Sequence, residues 1–508
     1  MVSNMKESLN TYVYYDKNCP MCTVFADTVS TKGNNQIIVD ANEVDSEASP
    51  ASRKELLNEI HIVESDGKIR TGPDAVLTSL GNIYPILKPF AILARLPILS
   101  WLSRQVYFFI SKRRVLWYGG NVARLYWLFL IVNLGLLAAI LLSLPAWFTE
   151  RTYPLVPLLS GLEWLQPYTW LITTGLILSL VISLVRINNF KVNTIISLLF
   201  LTPLVLLDVS RLQPWVFHYS AILFLLSWSN LLLTIRTGQI LDAARFIVVG
   251  IYFWSGIQKM NTGFLLEVFP WFTKPLWSPL GDTGTYMALV LGMFVPFIES
   301  AFALGLLTRR FRMISIIGSG AMLGLVTISI MFGHGWNSVV WPWNFAIFSM
   351  VLVLFYNYED TISDLFKRTT KNLLGIFAVC LFVLMPVGNF FGLVDHYLSW
   401  SLYSGHVPIA SISASRDTLD ELVDETIITK TEIDGVSSVK MHHWSLQSIN
   451  FVPYPEERVF IEIFSSLCKK FPDPNLSLNI ETTPIFLSHK KEHLIYDCSF
   501  VFESKVID

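Results

Sequence analysis

The sequence predicts a multi-domain fold: a small α/β domain, a polytopic α-helical membrane domain and a small β-rich domain, in that order. The chain has 508 residues, of which 53% are hydrophobic and only 15% charged, whereas soluble proteins carry about 25% charged residues. Its long apolar segments are confined to the middle, and both ends are polar. We therefore place the domains at 1–115, 121–392 and 393–508, with a lipid bilayer around the second.

The first domain is predicted from short strands separated by turns and helices. Thr11–Asp16 and Gln36–Asp40 have the β-branched and aromatic content of strands. His61–Val63 and Lys68–Arg70 flank a Ser-Asp-Gly turn signal, and Gly72 opens an apolar-periodic helix. The order of strand, helix, strand, hairpin and helix is typical of a small α/β arrangement.

Residues 83–110 are apolar but are interrupted by prolines and by basic residues. They contain no uninterrupted apolar run of about 18 residues, the length that a membrane span needs. We predict amphipathic helices here, lying either on the membrane or on the domain.

The middle of the chain contains nine candidate membrane spans, and the third and eighth are short. They are 125–147, 167–185, 193–209, 215–234, 244–260, 286–307, 312–332, 339–356 and 372–391.

Lysine and arginine are distributed unevenly between the predicted loops, with thirteen on one set and four on the other. By the positive-inside rule, this places the first domain in the cytoplasm. An odd number of spans then places the tail outside, and we expect a bacterial inner membrane. The net charge of -2 argues against a nucleic-acid partner, because phosphate binding needs a basic surface.

The polar tail contains short apolar runs that we interpret as strands, among them Val436–Met441 and Val459–Phe464. Cys468 and Cys498 would lie in an oxidising compartment, where disulfides persist, and they are candidates for a disulfide.

Cys19 and Cys22 form a CxxC motif between a predicted strand and a predicted helix. A helix N-terminus favours the thiolate of the first cysteine, and the second can resolve a mixed disulfide. Pro20 suits the first helical turn. Half of a zinc site and two thiols without a function are the alternatives. The sequence offers no further Cys or His pair to complete four zinc ligands, so we expect no metal.

The run YYDKNCPMC, followed by ESDGKIRTGPDAVLTSL, resembles the DCC-type thiol–disulfide oxidoreductases, a family also classed as a domain of unknown function (DUF393). The resemblance covers about the first 115 residues, and Lys17 stands where that family has glycine. It implies a thioredoxin-like fold and disulfide oxidoreductase activity on a protein thiol or disulfide. The matching residues are Cys19, Pro20, Cys22, Asp66, Gly67, Gly72, Asp74 and Ala75.

Lys259 ends an apolar, aromatic segment, RFIVVGIYFWSGIQKMN. An ionisable group at membrane depth commonly faces a bundle interior and has a function, although a lysine at a helix end also reaches the head groups without one. The segment resembles the HTTM membrane domain of vitamin K-dependent γ-glutamyl carboxylases, in which a lysine is proposed to deprotonate reduced vitamin K. Tyr252, Phe253 and Gly256 match as well, but Gln258 replaces a second lysine of that family.

Three further residues are candidates to support Lys259. His218 and His334 are predicted near the same membrane face and would either relay protons or lie at the interface. Glu299 lies deeper in its span, where it would form a helix–helix hydrogen bond or belong to a proton or quinone site.

The leading hypothesis is a membrane-anchored thiol–disulfide oxidoreductase in which Cys19 attacks and Cys22 resolves. The second is a carboxylase-like enzyme that uses Lys259 as a base on a quinone or vitamin K hydroquinone. The third is a transporter or scaffold without catalytic activity, in which the CxxC is a redox switch. No cofactor follows from the residues alone.

Overall fold

The computed structural model describes residues 10–17, 19–33, 35–44, 49–112, 120–231, 237–331, 337–430, 436–482 and 491–500. The chain divides into two compact units, Met1–Trp127 and Leu128–Asp508. We describe each unit by itself.

The first unit is a small α/β domain built on a four-stranded sheet. Its strands are β1 (Thr11–Tyr15), β2 (Gln36–Asp40), β3 (His61–Val63) and β4 (Ile69–Thr71). Its helices are α1 (Pro20–Lys32), α2 (Arg53–Asn58), α3 (Gly72–Ile83), α4 (Lys88–Leu93) and α5 (Pro97–Lys112).

The sheet has the order β2-β1-β3-β4. β1 and β2 run parallel because α1 connects them, whereas β3 and β4 form the predicted antiparallel hairpin. Gly67 occupies its turn with a φ of 81°, which glycine adopts without steric cost. Val13, Ile62 and Ala75 form a buried core with neighbouring apolar side chains. The predicted strands and helices of this domain are therefore confirmed, with boundaries shifted by a few residues.

The second unit begins with a body of helices. They are α6 (Gly120–Leu142, which starts in the first unit), α7 (Thr169–Val185), α8 (Phe190–Leu207), α9 (Pro214–Leu231), α10 (Thr237–Ile257), α11 (Phe269–Trp277), α12 (Gly281–Leu307), α13 (Arg312–Ser329), α14 (Val340–Phe355), α15 (Ile362–Thr369) and α16 (Leu373–Val379).

Six helical segments in the described part of the chain are long and apolar enough to cross a membrane. They are Gly120–Leu142, Glu163–Val185, Thr237–Ile257, Phe264–Leu307, Arg312–Ser329 and Leu373–Phe391. Three shorter apolar helices coincide with the other predicted spans. The membrane character of this region is thus supported, while nine crossings and the sides of the two ends stay predictions.

Helix α10 lies at the centre of this body, packed against α9, α12, α14 and α16. At Gly256 it approaches α12 so closely that a Cβ atom would overlap Ser300 and the carbonyl of Pro296. At its other end, Asp242 forms an ion pair with Arg245 at 2.6 Å. The ends of α10 are therefore fixed by a close helix contact and by a buried charge pair.

The C-terminal part forms a five-stranded antiparallel sheet in the order β6-β7-β5-β8-β9. Its elements are β5 (Ile409–Ser415), α17 (Arg416–Leu422), β6 (Thr429–Lys430), β7 (Val436–Lys440), α18 (Met441–Ile449), α19 (Glu457–Lys470), β8 (Ser477–Thr482) and β9 (Glu492–Asp497). Helix α18 contacts the helical body, where Asn450, its C-cap, donates to the carbonyl of Leu142 at 2.7 Å.

The strand predicted at Val459–Phe464 is wrong, because this segment lies within α19. Val459, Phe460, Ile463 and Phe464 are all buried. Their spacing is that of one helix face, and the same stripe continues one turn later at Leu467. A short apolar run does not distinguish a strand from a helix, and here the buried stripe continues for about three turns, to Cys468.

Candidate functional site

The two cysteines of the CxxC motif lie at the start of α1, as the sequence predicts. Cys19 is the N-cap, and its sulfur accepts a hydrogen bond from the Cys22 amide at 3.4 Å. The Cys22 thiol donates to the Cys19 sulfur, with 2.7 Å between the sulfur atoms. Pro20 begins the helix. Because a helix N-terminus stabilises negative charge, the anionic sulfur is best accommodated at Cys19.

The two thiols differ in their exposure to solvent. The Cys19 side chain is completely buried, whereas Cys22 is partly exposed. The better-stabilised sulfur is therefore the less exposed one.

A cavity of about 240 Å³ lies beside the thiols. Its apolar lining residues include Phe25, Leu56 and Val76, and the acidic residues Asp16 and Glu59 also line it. A group that enters beside the sulfurs therefore meets mostly apolar surface together with two acidic side chains.

Tyr107 of α5 closes one side of this cavity. Its hydroxyl accepts a hydrogen bond from the backbone amide of Ile60 at 3.0 Å. Burial raises the pKa of the Tyr107 phenol, and the nearby Cys22, Glu59 and Cys19 raise it further. The phenol therefore stays neutral beside the thiols. The sequence alone does not predict this position of Tyr107, because nothing local along the chain links α5 to Cys19.

Asp74, one of the residues that match the DCC-type pattern, has a structural role in this unit. Its carboxylate pairs with Arg70 and Arg95, each at 2.9 Å. Burial alone would raise the pKa of Asp74, but the two arginines outweigh it and the pKa lies below its ordinary value. The cluster connects β4, α3 and the turn that follows α4.

In the second unit, the structure brings Lys259 and Glu299 together. Their charged groups form an ion pair at 2.8 Å. The Lys259 ammonium also donates to the Ser255 hydroxyl at 2.7 Å and to the Ser255 carbonyl at 3.0 Å. The second carboxylate oxygen of Glu299 lies 3.1 Å from the same nitrogen, so the three donors of the ammonium group are all engaged. The sequence could have predicted the contact with Ser255, because Ser255 precedes Lys259 by one helical turn.

Lys259 and Glu299 lie in the wall of a cavity of about 340 Å³. The remaining wall is apolar or aromatic, apart from a few polar side chains. It includes Phe264, Phe269, Phe272, Ile298, Trp343 and Tyr403.

The histidines predicted to assist Lys259 have different outcomes. His218 is completely buried and accepts a hydrogen bond from Trp343, a cavity residue, at 3.1 Å. His334 falls outside the described residues. The side-chain amide of Gln258 donates a hydrogen bond to the Ser399 carbonyl at 3.3 Å. Contact with Lys259 is thus made by Glu299 and Ser255.

The tail cysteines Cys468 and Cys498 are joined by a disulfide, with 5.6 Å between their Cα atoms. It links α19 to the residue that follows β9. Within the described ranges there is no cluster of three or more His, Cys, Asp or Glu side chains that would hold a metal ion.

Neither the curated proteins nor the solved structures contain a significant match to this chain. The thiol-containing segment does match a protein family. Residues 13–120 match the family described as DCC1-like thiol-disulfide oxidoreductase.

Proposed function

We propose that the protein is a membrane-anchored thiol–disulfide oxidoreductase in which Cys19 and Cys22 exchange electrons with a protein substrate. The observation that carries this proposal is the 2.7 Å approach of the two sulfurs at the N-terminus of α1. The family match over residues 13–120 supports the same chemistry. The order of strand, helix, strand, helix, hairpin and helix supports a thioredoxin-like fold for this unit.

In the proposed reaction, the Cys19 thiolate attacks one sulfur of a substrate disulfide. The substrate S–S bond breaks, and its other sulfur leaves as a thiolate that takes up a proton. Cys22 loses its proton and attacks the Cys19 sulfur, which releases the second substrate thiol. The substrate thereby gains two electrons, and the protein retains the Cys19–Cys22 disulfide. The reverse sequence oxidises a substrate dithiol.

The cavity beside the sulfurs favours particular substrates. Its apolar wall suits an apolar side chain next to the substrate cysteine. Asp16 and Glu59 oppose a substrate with further negative charge at that point, because like charges repel most strongly where water is scarce. We therefore expect neutral or basic cysteine peptides to react faster than acidic ones.

The test uses the full chain in detergent and a neutral peptide whose cysteine carries a 2-thiopyridyl disulfide. Wild type should release the peptide as a thiol and end with its own disulfide. Cys22→Ser should stall as a mixed disulfide at Cys19, detected by mass, and Cys19→Ser should react at least about tenfold more slowly. Cys380→Ser, which removes an exposed cysteine outside the motif, is the matched control.

Two outcomes would contradict the assignment. A mixed disulfide that accumulates at Cys22 in Cys19→Ser would reverse the two roles, in keeping with the greater exposure of Cys22. Equal rates for wild type and both motif variants would remove the proposed function.

A second candidate function concerns the membrane region. The 340 Å³ cavity favours binding of an apolar molecule with a polar head, such as a quinone or a vitamin K hydroquinone, beside Lys259. Use of Lys259 as a base requires a neutral amine, so the ion pair with Glu299 must first open or lose its charge. In this proposal Glu299 accepts the lysine proton before the ligand is deprotonated.

Binding of a tritiated naphthohydroquinone to the protein in nanodiscs tests this candidate. Lys259→Met should weaken binding at least about tenfold, because the cavity wall loses its amine and Glu299 is left there without its partner. Lys274→Met, which alters an exposed lysine on α11 outside the cavity wall, should leave binding unchanged. Equal binding by wild type and Lys259→Met would exclude this role for the lysine.

A further inference from the structure

Helix α5 has its polar face on the protein and its apolar face outward. Ser100, Ser103, Tyr107 and Ser111 recur at a spacing of three to four residues, and all are at least partly buried. Tyr107 contacts Ile60, and Ser111 donates to the carbonyl of Asn58 at 3.1 Å. These contacts identify the serine–tyrosine stripe as the face that packs on the domain.

The opposite face of α5 is exposed and mostly apolar. Trp101 is 64% exposed, Leu102 50% and Val106 51%. Phe90 and Ile92 of α4 add to the same kind of surface, at 59% and 63% exposure. A helix on a water-soluble domain buries its apolar stripe and exposes its polar one. On α5 this pattern is reversed, and several large apolar side chains are exposed together. Such a surface indicates that something other than water covers these side chains.

The charge of this segment indicates what covers it. No aspartate or glutamate occurs between Asp74 and Glu150. Lys88 and Arg104 are exposed on α4 and α5, and the basic run Lys112, Arg113 and Arg114 follows in the sequence. Basic residues combined with tryptophan, leucine and phenylalanine are typical of helices that lie in the plane of an anionic membrane surface.

We propose that α4 and α5 form an interfacial surface of the first unit that binds anionic lipid head groups and inserts its apolar side chains among the upper acyl chains. The chain supports this arrangement, because α5 ends at Lys112 and the first candidate membrane span begins only a few residues later, at Gly120. Long basic side chains reach the head groups while their stems stay among apolar atoms.

This surface has a consequence for the thiols. Tyr107 and Ser111 belong to α5 and also line the cavity beside Cys19 and Cys22. One helix therefore has its inner face on the thiol cavity and its outer face on the lipid. The thiols lie within about one helix diameter, roughly 10 Å, of the head groups.

Site-directed spin labelling of the full chain in nanodiscs tests the proposal. Cys19, Cys22 and Cys380 are replaced by serine, and a nitroxide is attached through Leu102→Cys. A matched label is attached through Lys54→Cys, at an exposed polar position on α2. Accessibility to O2, which concentrates in lipid, is compared with accessibility to a water-soluble nickel chelate, in phosphatidylcholine with and without about one-third phosphatidylglycerol.

The label at 102 should collide more often with O2 than with nickel, at a depth of about 5–10 Å, and the label at 54 should show the reverse. Phosphatidylglycerol should increase the depth of the label at 102 in the bilayer, and Arg104→Gln should reduce that increase. Nickel accessibility at 102 equal to that at 54 would place the helix in water and overturn the proposal. Exclusion of both reagents at 102 would overturn it too, because protein and not lipid would then cover the face. An equal depth in both lipid mixtures would overturn the role assigned to anionic lipid.

Discussion

Removal of either member of the Lys259–Glu299 pair should destabilise the second unit much more than removal of both. The two side chains are only 13% and 8% exposed and lie in a mainly apolar cavity wall. Lys259→Met leaves a carboxylate without its partner, and Glu299→Met leaves an ammonium held only by Ser255. Loss of one partner from a buried pair costs about 3–5 kcal/mol, whereas apolar replacement of both is often close to neutral.

A double-mutant cycle measures this difference. Unfolding free energies of wild type, both single variants and the double variant are compared in mixed micelles. We expect each single variant to lose about 3 kcal/mol or more and the double variant to lose less than either. The control cycle uses Arg416 and Asp420, a pair at 2.9 Å on α17 whose side chains are 30% and 40% exposed. A coupling below about 1 kcal/mol is expected for this pair. Additive losses at Lys259 and Glu299 would refute the reasoning, because a true buried pair must show coupling.

Two further predictions follow from local contacts. Burial would raise the pKa of Asp473, but hydrogen bonds from Ser415 and Thr418 outweigh it and lower the pKa to about 2. The folded state therefore binds this proton less readily than the unfolded state, so about 1–2 kcal/mol of stability, present above pH 4, is lost between about pH 4 and pH 2. Amide hydrogens in β5 and α17 should exchange more slowly in wild type than in Asp473→Asn above pH 4, and this difference should disappear between about pH 4 and pH 2. A difference that does not change with pH would contradict the prediction. Gly256→Ala should cost about 1–3 kcal/mol, because its Cβ overlaps Ser300 across the contact between α10 and α12. In thermal unfolding, Gly324→Ala on α13 should be neutral or stabilising, since its added Cβ would extend into open space. Equal effects of the two changes would contradict the close contact at Gly256.

The first unit was predictable because its signals are local. Strand composition identified β1 and β2, a Ser-Asp-Gly turn identified the hairpin, and the position of the CxxC identified the start of α1. The helices of the middle region were predictable as well, from their hydropathy. The secondary structure of the tail was harder to predict. The apolar residues of Val459–Phe464 are compatible with a strand or a helix, and only their burial on one helix face distinguishes the two.

The candidate sites show where local signals end. The sequence singled out Cys19 and Lys259, because a thiol pair at a helix start and a cation in an apolar segment are unusual in themselves. It named Glu299 as a candidate to support Lys259, but it did not predict the ion pair between these two residues, which are forty positions apart. Nor did it connect Cys19 with Tyr107. Those contacts depend on how helices pack, and single-sequence periodicity contains no information about the partner of a face.

The sequence by itself thus determined the class of protein, the strands and helices of the first unit, and the CxxC motif, since these follow from composition and from interactions between residues close along the chain. Only the tertiary structure decided the partners. It buried the sulfur of Cys19, paired Lys259 with Glu299 in a cavity wall and turned the apolar face of α5 outward. The physical reason is that burial, ion pairing and cavity shape depend on atoms that distant segments bring together, and the free energy of each group is set by those neighbours.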